Sequence, residues 1–134
     1  MTYLIDTHTL LWAITDETEL SERAREILSA PEQNEILVST VSFCEIAIKT
    51  SIKKLDINGF DLFKLPEYCA ALGFTVIPLG VADSLHYARL PLRTKHKDPF
   101  DRMLIATATN NGYTLISRDH NMPQYHVDGL SVLW

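Results

Sequence analysis

Two hydrophobic rhythms alternate along the 134 residues of this chain. Short apolar runs lie in residues 2–6, 35–39, 74–79, 113–117 and 130–134, with the length and composition of buried strands. Between them, apolar positions recur at helical spacing over 8–15, 20–30, about 41–54, about 61–72, 81–90 and 99–111. Punctuating residues agree with that pattern. Ser21 stands as an N-cap with Pro31 just past the end of its helix, Gly73 and Gly112 are placed to stop two others, and Asp98-Pro99 has the order of a cap and a first helical residue. Apolar strands alternating with helices predict an α/β domain over residues 1–134, its parallel sheet covered by helices on both faces. Sheets of this kind bind ligands beyond the carboxyl ends of their strands.

Four acidic residues interrupt the pattern. Asp6 ends the first strand, Glu45 breaks the run Phe43 to Ile48, Asp101 opens the run Met103 to Ala106, and Asp119 follows the fourth strand. A carboxylate withdrawn from water is costly unless it is paired, hydrogen-bonded or bound to a metal. Each has a structural account when taken alone. Asp6 can cap the helix that follows it, and Asp119 can form a turn. Glu45 has the capping-box spacing from Ser42 and lies four residues before Lys49. Periodicity gives Glu45 a further role, since Val41, Glu45, Ile48 and Ile52 share one helical face; Asp101 likewise shares a face with Ile105 and Ala108. Asp98 is accounted for as a helix cap. Four carboxylates converging at a sheet edge describe a divalent-cation site, and all-oxygen ligands suit Mg²⁺ or Mn²⁺.

The formal net charge of −5 argues against binding nucleic acid by bulk charge alone. Basic residues nevertheless cluster, with Lys49, Lys53 and Lys54 in one stretch and Arg89, Arg93, Lys95, Lys97 and Arg102 in another. A basic rim around an acidic pocket is therefore expected, with Lys49, Lys53, Arg93, Lys95, Lys97 and Arg102 as candidate phosphate contacts. Cys44 and Cys69 sit beside apolar residues without Cys-x-x-Cys spacing, as buried reduced thiols do. No run approaches the ~20 apolar residues of a membrane span, and Asp6 breaks the first apolar stretch too early for a signal peptide. The expected location is the cytoplasm. His8, His86, His96, His120 and His126 show no His-x-x-x-His zinc spacing, and His8 and His120 read as surface or supporting residues. Neither a Gly-rich phosphate loop nor a Gly-x-Ser-x-Gly elbow is present.

The succession Leu-Ile-Asp6-Thr-His-Thr-Leu-Leu-Trp, Val-Ser-Phe-Cys-Glu45-Ile-Ala-Ile-Lys, Asp98-Pro-Phe-Asp101-Arg-Met-Leu-Ile-Ala-Thr-Ala and Leu-Ile-Ser-Arg-Asp119 resembles the PIN-domain family, above all its VapC-type toxins. The resemblance runs over essentially the whole chain. It implies a three-layer α/β/α sandwich and endonucleolytic cleavage of RNA. Asp6, Glu45, Asp101 and Asp119 would be the catalytic, metal-binding acids, with Mg²⁺ or Mn²⁺ as cofactor, and Thr7 would help to order water at the metal. The resemblance further implies a cognate antitoxin that places a basic side chain among the acids, and a homodimer. Phe43-Cys44 stands where close relatives carry Trp, a difference expected to affect packing. Two other readings compete. A haloacid-dehalogenase-like phosphatase also has Asp after its first strand, but its second Asp, two residues on, is His8 here. A catalytically silent PIN-like interaction module would keep the fold and the partner without the chemistry.

Overall fold

The computed structural model describes residues 1–57, 59–92 and 95–134. Strands β1 (Thr2–Ile5), β2 (Glu35–Ser39), β3 (Thr75–Ile77), β4 (Thr114–Ile116) and β5 (Ser131–Leu133) form one sheet in the order β3-β2-β1-β4-β5. Every pairing is parallel; Leu4 lies beside Leu37 and Leu115, and Ile5 beside Val38 and Ile116. The helices are α1 (Thr7–Thr15), α2 (Glu22–Leu28), α3 (Thr40–Ser51), α4 (Leu65–Ala71), α5 (Val81–His86) and α6 (Pro99–Asn111). The chain builds outward from β1 through β2 and β3, then crosses to the other side of β1 for β4 and β5. The strand order thus reverses between β1 and β4, where open α/β sheets form their ligand crevice.

Alternation along the strands sorts the side chains into two layers. Tyr3, Ile5, Ile36, Val38 and Ile116 pack with Leu10 and Leu11 of α1, Ala24 and Leu28 of α2, and Leu65 and Cys69 of α4. Leu4, Leu37 and Leu115 pack with Leu104, Ile105 and Ala108 of α6, and with Met122 and Tyr125. The α/β/α arrangement expected from the apolar pattern is the one observed.

Helix ends follow the capping residues. Asp98 Oδ1 accepts the Phe100 and Asp101 amides at 2.9 and 3.1 Å, and Gly112 closes α6 in the left-handed conformation at φ 71°. The helix expected over 61–72 divides into a 3₁₀ turn, Leu62–Lys64, and α4; that over 81–90 divides into α5 and the 3₁₀ turn Tyr87–Arg89. Met122–Asp128 form a 3₁₀ run that the apolar pattern does not indicate, with Met122 and Tyr125 buried at its three-residue spacing.

Helix α3 departs from expectation in three respects. Ser39 is its cap, accepting the Val41 amide at 3.1 Å, so Ser42 and Glu45 form no capping box. Its buried face carries Val41, Ser42, Glu45 and Ile46, whereas Ile48 and Ile52 are 42% and 55% exposed. Ile46 enters the layer under Ile5 and Val38, which turns Ile48 and Ile52 away from the sheet. Cys44 is consequently exposed, and of the two cysteines only Cys69 is buried. Among the described residues, no helix is long and apolar enough to cross a membrane.

Candidate active site

A cleft of about 380 Å³ takes its lining from the residues that follow β1 and β4 and from α3 and α6. Asp6, Glu45, Asp101 and Asp119 all line it, and Asp98 adds a fifth carboxylate. Among the described residues, the permanent cations in its lining are Lys49 and Arg118.

Asp6 follows β1 directly and caps α1, so its structural and chemical roles coincide. Its amide bonds Ile116 O at 3.2 Å, tying it to β4. Its Oδ1 accepts the Thr9 amide at 2.9 Å and its Oδ2 accepts the Ser117 hydroxyl at 2.5 Å. Burial pushes this carboxyl above its ordinary pKa, against the lowering effect of the Ser117 and Thr9 bonds. The Ser117 oxygen also accepts the Asp119 amide at 3.1 Å, so one hydroxyl joins two of the four acids. Ser117 was not singled out by sequence; its only signal is its place directly after β4.

Glu45 is 3% exposed. The Thr7 hydroxyl donates to its Oε1 at 2.6 Å and lies 3.0 Å from Ser42 Oγ. Thr7 therefore orients a carboxylate of the cleft. Lys49 pairs with Glu45 Oε2, and that bond is the main cause of the raised Lys49 pKa.

Asp101, in the first turn of α6, retains 22% side-chain exposure and Asp119 retains 30%. Burial raises the Asp101 pKa from 3.8 to about 6; the His96 bond lowers it, while the charges of Asp98 and Asp119 raise it further. Asp119 Oδ1 accepts the Asn121 amide at 2.8 Å. His96 escaped the sequence reading because it precedes α6 and belongs to no ligand spacing. Its Nε2 lies 3.0 Å from Asp101 Oδ2 and 4.0 Å from Asp119 Oδ2. Among the described residues, His96, Asp101 and Asp119 offer ligand atoms within 4.8 Å of one another.

The basic rim is only partly realised. Lys49 lines the cleft, and Arg118, not among the expected contacts, lines it too. Lys53, Lys95 and Lys97 are exposed outside the lining, and Arg93 lies outside the described residues. Arg102 is 4% exposed and donates to Pro91 O at 2.9 Å and to the Tyr125 hydroxyl at 3.1 Å, so it is no phosphate contact. Its neighbour Asp101 faces the cleft, and one residue along a helix turns the side chain through ~100°. Among the described residues, five carboxylates against two permanent cations make the lining electronegative, and oxygen donors in that excess suit a hard divalent cation.

Comparison with known proteins agrees with this architecture. The PIN domain family model matches residues 3–129. Ribonuclease VapC22 of Mycobacterium tuberculosis is 22% identical over 134 residues, covering 99% of this chain and 98% of that protein. The crystal structure of VapBC2 from Rickettsia felis, bound to a DNA fragment from its promoter, superposes with TM-score 0.69 at 15% identity, covering 99% and 98% of the two chains. The FitAcB structure from Neisseria gonorrhoeae gives TM-score 0.66 at 19% identity, covering 98% and 96%. Since the family model spans nearly the whole chain, and strand ends and helices together bring the acids to the β1/β4 crevice, this chain belongs to the PIN-domain family.

Proposed function

We propose that this chain is a Mg²⁺- or Mn²⁺-dependent endoribonuclease and the toxin of a toxin–antitoxin pair, acting as one nuclease domain in the cytoplasm. The observation that carries the reading is the convergence of Asp6, Glu45, Asp101 and Asp119, from four separate parts of the chain, on one cleft. Those four acids are the proposed metal ligands. A divalent ion held by them would supply Lewis acidity toward a phosphodiester and toward the attacking water. The protein's own contribution is positioning. Thr9 and Ser117 hold Asp6 from both oxygens, Thr7 holds Glu45, and the Ser117 hydroxyl fixes Asp119 relative to Asp6. Lys49 and Arg118 bring positive charge to the cleft wall, where an RNA backbone would pass.

The relatives' names, a ribonuclease and a VapBC complex, support RNA as substrate and an antitoxin as partner. A second groove lined by Leu11, Trp12, Leu55 and Phe60 shares His8 and Trp12 with the acidic cleft. It would seat an apolar antitoxin segment whose basic side chain reaches the acids. A homodimer is proposed through the apolar surface around Leu79, Leu85, Tyr87 and Met103. The test is cleavage of RNA by the purified chain with Mg²⁺ or Mn²⁺, with mapping of the ends. Wild type is expected to leave 5′-phosphate and 3′-hydroxyl ends, and chelator, Asp6→Asn or Asp101→Asn to abolish cutting. Undiminished metal-dependent cleavage by either variant would sink the assignment. A folded chain that binds antitoxin but cuts no RNA would favour the silent module; the family match over residues 3–129 sets the dehalogenase-like reading aside.

A further inference from the structure

Behind the acids lies a polar network that the proposed chemistry does not use. Asp101 Oδ2 stands 3.0 Å from His96 Nε2, and His96 Nδ1 stands 3.1 Å from the Tyr125 hydroxyl. Arg102 Nη1 donates to that same hydroxyl at 3.1 Å. The guanidinium is fixed in turn by Pro91 O at 2.9 Å, by Leu90 O at 3.4 Å, and by the Tyr87 ring, 5.1 Å from its centre. The network closes on itself, because Asp101 and Arg102 are consecutive residues of α6. It encloses the first turn of that helix between the Leu90–Pro91 segment and the run that carries Tyr125.

We propose that His96 is the positioning residue of the acid cluster, holding Oδ2 of Asp101 through Nε2–H and leaving Oδ1 for the cation. The inference rests on the metal-dependent nuclease reading above. A carboxylate only accepts, so the bond to Asp101 assigns the proton to Nε2. In the tautomer with its proton on Nε2, Nδ1 accepts from the Tyr125 hydroxyl, whose oxygen accepts from Arg102, a group that can only donate. Donation thus runs in one direction, from Arg102 through Tyr125 and His96 to Asp101. Burial places the ring behind the site. His96 is 5% exposed and Tyr125 0%, and His96 does not line the cleft that Asp101 and Asp119 line. An edge-on contact between the two rings, with centroids 5.6 Å apart, fixes the imidazole plane. Burying a histidine and an arginine is costly where apolar side chains would pack. The network ends on an acid of the cleft, and partners of this kind set ligand orientation at metal sites.

The test uses the full chain with Mn²⁺ as probe. Mn²⁺ affinity is read from the electron paramagnetic resonance of the free ion, alongside single-turnover RNA cleavage and the melting temperature in chelator. His96→Leu is expected to lose about 10–100-fold in Mn²⁺ affinity and to lose cleavage in parallel. His96→Gln, which restores an N–H near the Nε2 position, is expected to recover most of both, and Tyr125→Phe to fall between. Spin-echo modulation of Mn²⁺ bound to wild type is expected to show no imidazole nitrogen. A nitrogen coupling that disappears in His96→Leu would make His96 a direct ligand and overturn the proposal. So would His96→Leu matching wild type, or His96→Gln losing as much as His96→Leu. If His96→Leu fails to fold, Gln and Tyr125→Phe decide: wild-type affinity in both overturns it, and retention in Gln with loss in Tyr125→Phe supports it. A wild-type chain that neither binds Mn²⁺ nor cuts RNA fails the metal-nuclease reading itself and takes this inference with it, which is distinct from failure confined to the variants.

Discussion

Asp101→Asn isolates the electrostatic cost that the cleft imposes on the metal-free protein. Burial and the neighbouring acids raise the Asp101 pKa from 3.8 to about 6. At 1.36 kcal/mol for each tenfold change in proton affinity, an ionised Asp101 costs the folded state about 3 kcal/mol. The pH window follows from the direction of the shift. Below the unfolded value the group is protonated in both states and costs nothing. As pH rises from 3.8 toward 6 the unfolded chain ionises first, so stability falls, and the full cost applies above that range. Asn keeps an oxygen to accept the His96 N–H and never ionises. In chelator at pH 7.5, Asp101→Asn should therefore exceed wild type by about 1–3 kcal/mol, roughly 4–12 °C in melting temperature. At pH 4, just above the unfolded value, most of the difference should be gone, and by pH 3 it should vanish. Excess Mg²⁺ should raise the wild-type melting temperature while leaving the variant nearly unmoved. Calorimetry over this pH range is the assay. A variant no more stable than wild type at pH 7.5, or a gain that persists unchanged at pH 4, would refute the reasoning.

Two further outcomes test the fold. Gly73 has φ 78°, and a Cβ there would stand 2.8 Å from Pro31 Cβ, so Gly73→Ala should destabilise by about 1 kcal/mol or more in urea unfolding; unchanged stability would contradict that close approach. Cys44 is exposed, whereas Cys69 is buried with its thiol pushed up to about 11. A thiol reagent should therefore modify one cysteine in the native protein and the second only on unfolding, and two rapid modifications would contradict the packing of α4.

What sequence could reveal divides along physical lines. The strands were legible because a sheet covered on both faces requires unbroken apolar runs, and α6 was legible because Asp98, Pro99 and Gly112 mark both of its ends. Asp6 and Asp119 were legible as carboxylates beside strand ends. Helix α3 was misread in rotation, since its periodicity offered Ile48 and Ile52 as buried while the sheet took Ile46. His96 and Ser117 were missed because nothing local marks them: each acts through a partner from a different element. The 3₁₀ run at Met122–Asp128 follows a three-residue spacing, which a search at helical and strand periods passes over. Arg102 illustrates the opposite error, a charge read as solvent-facing that the fold consumes internally.

The Ser117 hydroxyl spans 111 residues of chain to reach Asp6. Asp119 and the second oxygen of Asp6 are set in place only once residues 114–119 have been made, because β4 follows α6 in the chain. A ribosome releasing this protein from its amino end would emit Asp6 and Glu45 early, yet the cleft they line would stay open on one side. A polypeptide cut short before β4 likewise carries Asp6, Glu45 and Asp101 but lacks Asp119 and the Ser117 hydroxyl that braces Asp6. The acidic cleft therefore gains its last wall, with Arg118, Asp119 and His120, only as the segment after β4 is added.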